Sequence, residues 1–193
     1  MRLGKILKFA FVAVMLVFFI FLFSRIMMTG DRTALRDVSP TEGARAAFAA
    51  DGEDAFLTNT LPSDISRDGY FTAYALAFAP AAKELQITVR YNDSLYEKYL
   101  EGSDPETYYF EIRDAEGNTV SKAKVVGEKE RYFYNHLRLS FEGIEGGEEL
   151  YLFLCCDSAS YPADHTEGIL ITHPSLEMKK LRLSSGEKEA LGE

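Results

Sequence analysis

Residues 83–92 read KELQITVRYN, and their period is two: Leu85, Ile87, Val89 and Tyr91 alternate with Glu84, Gln86, Thr88 and Arg90. Successive side chains of an extended chain point to opposite faces, so this pattern predicts a β-strand with one apolar and one solvated face. Downstream, TYYFEIRDAEGNTVSKAKVV repeats the pattern twice around a turn at DAEGN, where Asp, Gly and Asn supply the backbone freedom a hairpin needs. RYFYNHLRLSFE sets Phe133, Leu137, Leu139 and Phe141 on one face. GYFTAYALAFAP and LYLFLCCD are apolar on both faces, as central strands covered on each side are, and GILITHP is a last short run. The expected strands span 70–79, 84–92, 107–114, 119–126, 132–142, 149–157 and 168–173, about seven in all, with SLEMKKLRL as a possible edge strand and DSLYEKYLEG as a helical turn or two.

Seven short strands with turns every 8 to 12 residues predict an all-β domain, a single antiparallel β-sandwich. Within IEGGEELYLFL, residues 144–154, Tyr151 follows Gly147 by four positions. This stretch resembles the turn and sixth strand of fibronectin type III domains, where a tyrosine hydroxyl ties the corner back to the backbone. In that family the tyrosine sits one residue sooner, where this chain has Leu150, and a buried tryptophan is usual, whereas this chain has no Trp. The resemblance covers eleven residues and implies a sandwich of the immunoglobulin or fibronectin III-like kind.

Before the strands lies KFAFVAVMLVFFIFLFSR, residues 8–25, inside an apolar window of 6–28. A helix rises about 1.5 Å per residue, so roughly 20 such residues cross a hydrocarbon core of about 30 Å. Lys8 and Arg25 can run their stems along lipid and leave their charges among headgroups. Arg2, Lys5 and Lys8 precede the apolar run, a bias that predicts a cytoplasmic N-terminus and an outer C-terminal domain at the plasma membrane. A cleaved signal peptide has the same layout, but SRIMMTGDR offers no small-x-small site, so an uncleaved signal-anchor is expected. The anchor contains no GxxxG, and Ala10 and Ala13 are its only well-placed small residues for pairing with another helix. The organisation expected is stub and transmembrane anchor 1–28, stalk 29–50 with a short helix after Thr41, β-domain 51–183 and polar tail 184–193.

The anchor holds four of the 21 basic residues and no acidic ones, which leaves 17 basic against 30 acidic, a net of −13. So acidic an outer part repels phosphate backbones, and nucleic acid is not an expected partner. Cys155 and Cys156 are the only cysteines, and adjacent Cα atoms stand about 3.8 Å apart, too close for an ordinary disulfide. The domain must hold together by its core. His136, His165 and His173 are scattered, with no HxH or HExxH spacing, and no GxGxxG or GxxxxGK is present. DGED and RDAEGN set acids near glycine without the alternating spacing of a calcium loop, and turn chemistry accounts for both. No cofactor or metal is expected. NDS, residues 92–94, fits a glycosylation acceptor in a host that modifies exported proteins.

Tyrosine is rigid and amphipathic, suited both to sandwich packing and to recognition surfaces. Tyr96, Tyr99, Tyr109, Tyr132 and Tyr134 therefore form the candidate interaction surface. Asp157, Asp164 and His165, in or beside SASYPADHTEG, form the second candidate, a hydrolytic or ligand-sensing site in the loop 157–168. The expected function is a noncatalytic binding or assembly module at the cell envelope, held to the bilayer through residues 6–28 and engaging a protein partner.

Overall fold

The computed structural model describes residues 2–31, 35, 37–59, 61, 71–91, 108–130, 134–156, 168–172 and 177–192. The chain divides into two units, Met1–Ala34 and Leu35–Glu193. The first is one helix, α1 (Arg2–Asp31). Its stretch Gly4–Ser24 has a mean hydropathy of 2.9 and no buried residue, and is long and apolar enough to cross a membrane.

The second unit is mostly β. Its elements are α2 (Glu42–Asp51), β1 (Leu57–Thr58), β2 (Phe71–Ala79), β3 (Glu84–Tyr91), β4 (Tyr108–Asp114), β5 (Thr119–Lys122), β6 (Lys124–Glu130), β7 (Asn135–Glu142), β8 (Leu150–Cys156), β9 (Ile169–Thr172), β10 (Lys179–Lys180) and α3 (Ser185–Gly192). The strands form two antiparallel sheets, β10-β1-β2-β3-β7-β6 and β5-β4-β8-β9. Alternation builds the core: Leu85, Ile87 and Val89 of β3, Leu139 and Phe141 of β7, Ile112 of β4, Leu150 and Leu152 of β8 and Ile171 of β9 fall in one buried cluster drawn from both sheets. Phe71 of the larger sheet meets Phe110 of the smaller edge-on, their ring centres 6.3 Å apart.

The described residues form ten strands against the expected seven. β10 is a two-residue edge piece within SLEMKKLRL, the stretch expected as an edge strand; β1, between β10 and β2, has two residues, too few to carry a period; and the expected strand 119–126 is two strands. At Ala123 the chain leaves β4, whose Phe110 carbonyl accepts the Ala123 N–H at 2.8 Å, and joins β7. The DAEGN hairpin forms as expected, with Gly117 at φ 86° and the Asn118 N–H donating to Asp114 Oδ1 at 2.7 Å. The segment DSLYEKYLEG lies outside the described residues.

The boundaries of the compact unit also differ from those read in the sequence. The helix after Thr41 forms, capped by the Thr41 hydroxyl, but it is no free stalk. Val38, Ala44 and Ala47 join Ala55, Phe56, Ala77, Ala79, Leu183 and Leu191 in a second buried cluster on the outer side of the larger sheet. Residues 184–193, expected as a polar tail, contribute α3 with Glu187 and Leu191 buried. The solvated face expected of β3 is covered as a result: Glu84, Gln86 and Thr88 are all buried.

Candidate functional site

Three arrangements carry chemistry, and the sheet faces position each. The first is a polar clasp on the outer face of the larger sheet. Glu84, Gln86 and Thr88 of β3 stand opposite Glu142, Ser140 and Arg138 of β7. Buried polar groups need partners, and here they find each other and the segment before α2. Ser140 Oγ donates to Glu84 Oε1 at 2.6 Å, and Thr41 Oγ1 donates to the same carboxylate, 2.7 Å from Oε2. The Gln86 amide accepts the Ser39 N–H at 2.7 Å and donates to the Ser39 carbonyl at 3.0 Å, pairing a side chain with backbone as a neighbouring strand would. Arg138, 0% exposed, donates to Thr88 Oγ1 at 2.7 Å, to Gln86 Oε1 at 3.3 Å and to the carbonyl of Ala75. Ala75 has φ 53° at a β-bulge in β2, the left-handed region a non-glycine residue seldom adopts. Burial lowers the Arg138 pKa to about 10 against the pull of Asp37 and Glu187, so the guanidinium stays charged at neutral pH. Tyr74 and His136 complete the row, with the tyrosine oxygen 2.7 Å from His136 Nδ1. Glu187 closes it from the C-terminus, accepting the Ser184 N–H at 2.7 Å and the Val38 N–H at 3.1 Å.

The second arrangement is the outer face of the smaller sheet. Tyr109, Glu111 and Arg113 of β4 stand opposite Cys155, Phe153 and Tyr151 of β8, with Lys122 of β5 opposite Glu111. Arg113 lies 4.5 Å above the Phe153 ring, ion-pairs with buried Glu111, and reaches Cys155 Sγ at 3.6 Å. Phe153 in turn covers Gly168, where an added Cβ would sit 2.5 Å from the ring. Burial, then the negative charge of Glu111, push the Cys155 thiol up to about 11, so it remains protonated and unreactive at neutral pH. Tyr151 donates to the carboxylate of Glu149. The corner bond implied by the fibronectin resemblance ends on a backbone atom, so this contact differs from it.

The third is a cavity of about 170 Å³ between the sheets at the Ala123 crossing, lined by aromatic and aliphatic side chains. Val125 stands opposite buried Leu139 in the β6–β7 register and so faces the core side, yet is 58% exposed. Among the described residues, no element covers Val125 at this edge of the larger sheet.

Of the expected recognition tyrosines, Tyr109 and Tyr134 are described: Tyr109 lies in β4 of the smaller sheet and Tyr134 immediately before β7 of the larger one. The Lys122 ammonium stands 4.7 Å above the Tyr109 ring, and the Arg90 guanidinium 4.5 Å above that of Tyr134, just before β7. Tyr96, Tyr99, Tyr132, Asp157, Asp164 and His165 lie outside the described residues. Among the described residues no group of three His, Cys, Asp or Glu side chains is placed to hold a metal ion. Sequence reasoning missed the clasp. Its signal was the pairing of polar Glu84 and Gln86 with small Ala79 and Ala77 on the neighbouring strand, a flat face that a helix with Ala44 and Ala47 can approach. The chain matches no protein-family model, no curated protein and no solved structure.

Proposed function

We propose that this is a single-pass plasma-membrane protein whose N-terminal helix tethers a noncatalytic binding or assembly module outside the cell. We further read the module as a sandwich of the immunoglobulin or fibronectin III-like kind. The orders β2-β3-β7-β6 and β5-β4-β8-β9 support that reading, since they follow the ABED and CFG arrangement with one added strand beside C. The uncovered apolar surface of α1 supports the tether.

The observation that carries the binding reading is the inequality of the two outer faces. The larger sheet's is sealed by α2, α3 and the polar clasp. Among the described elements, no helix packs substantially on the smaller sheet, whose outward residues include Tyr109, Lys122, Arg113, Tyr151 and Phe153. Aromatic and arginine side chains in one patch are the usual anchors of protein recognition. The test is crosslinking in intact cells with a C-terminal tag, comparing the native chain with a Lys122→Glu, Tyr151→Ser double variant. A specific protein captured by the native chain and lost from the variant supports the reading. Capture of the same protein by both, or of none by either, overturns it.

A further inference from the structure

We propose that the cavity at the Ala123 crossing is a binding site for a small, uncharged, monocyclic aromatic molecule. The geometry starts from a single residue. Ala123 alone separates β5 from β6, so one methyl group closes the seam where the chain passes between sheets. What remains is a space of about 170 Å³. A dry apolar cavity of about 150 Å³ admits benzene, so the volume inside the mouth fits one ring.

The lining matches in chemistry. Phe71, Tyr91 and Phe110 supply aromatic walls, closed by Leu137 and Leu139 among the aliphatic ones, and none of the described residues that line the cavity is charged. Phe71 and Tyr91 stack with ring centres 6.0 Å apart, and Phe71 meets Phe110 edge-on, so an incoming ring extends an aromatic cluster already in place. Half-exposed Val125 marks the mouth. A free molecule suits this entry better than a docked peptide strand, because edge strand β6 carries Lys124, Glu128, Lys129 and Glu130, charges that discourage strand addition. The inference extends the binding-module reading to a second place, and the two fail separately, since neither residue of the crosslinking variant lines the cavity and neither filled variant alters Lys122 or Tyr151.

The test is a benzene titration of the full chain in lipid nanodiscs, read by methyl NMR of its alanine, valine and leucine groups. Saturable shifts at Ala123, Val125 and Leu137, lost in Val125→Trp with the remaining spectrum unchanged, are expected. Benzoate should bind at least tenfold more weakly. Ala123→Leu, which fills the seam from within, provides a second variant should Val125→Trp fail to fold. Shifts that never saturate, binding that survives the filled variants, or benzoate binding as tightly as benzene would each overturn the proposal.

Discussion

Arg138 concentrates the cost and the specificity of the clasp in one side chain. Its Nη2 has no hydrogen-bond partner among the described residues, while its Nε and Nη1 bond to Gln86, Thr88 and Ala75. Removing one partner of a buried charge cluster typically costs about 3–5 kcal/mol, whereas an apolar side chain of similar volume restores much of it. Arg138→Ala is therefore expected to be several kcal/mol less stable by chemical denaturation, and Arg138→Met to be milder. Gly43 gives a steric counterpart: a Cβ there would sit 2.4 Å from Glu84 Oε2, so Gly43→Ala should also destabilise. Acid acts on two neighbours with opposite sign. Burial alone would raise the Glu187 pKa, but bonds from Ser184 and the Val38 N–H prevail and hold it below the ordinary 4.5. Its ionised form thus stabilises the fold above that value, and the contribution is lost as pH falls through the lowered pKa. Asp37 is raised above 3.8 by burial and then by Glu187, so protonating it on mild acidification stabilises the fold instead. Unfolding measured across pH should show Glu187→Gln losing less stability than the native chain below about pH 4.5, and Asp37→Asn losing the gain at milder acidity.

At the scale of elements, the Ala123 crossing decides both what the sequence revealed and what it hid. The period of two in residues 84–91, the DAEGN turn and the apolar runs of β2 and β8 were all legible, because alternation and turn chemistry are local. The change of sheet was not: Thr119 to Val126 alternates much as one strand would, and only the competing partners β4 and β7 divide it. The polar face of β3 misled for a related reason. A hydrophilic strand face reads as solvated unless the polar groups that satisfy it, here Ser39 and Thr41 some 45 residues earlier, are known to return to it. Of the candidate site residues, Tyr109 falls on an outward face of β4, while Tyr134 precedes β7 of the other sheet, a separation that depends on strand order, which composition does not encode. The crossing also makes a stability prediction. An unfilled cavity costs about 24 cal/mol per Å³, so the two methyl groups added by Ala123→Val, occupying part of its volume, should gain about 1 kcal/mol. Thermal unfolding should then shift upward by about 2–4 °C, and a fall instead would mean that the seam has no room for them.

For the molecule as a whole, the two ends of the folded unit hold each other. Val38 and Glu187 are 149 residues apart in sequence, and their contact joins the segment preceding α2 to α3. Leu183 and Leu191 share the same buried cluster with Val38, Ala44 and Ala47. The clasp therefore completes only when the last ten residues are present, although the inter-sheet core draws nothing from them. Deleting residues 184–193 removes the acceptor for the Val38 N–H and uncovers Val38 while leaving β3, β7 and β8 with their own partners. Local opening follows the number of buried contacts a segment keeps. Hydrogen exchange on the truncated chain should accordingly accelerate at the Val38 and Ser39 amides and along α2, with protection kept in β3 and β8. Uniform loss of protection across both sheets would show instead that α3 is part of one cooperative unit with the core, and that the polar clasp and the inter-sheet packing cannot form independently.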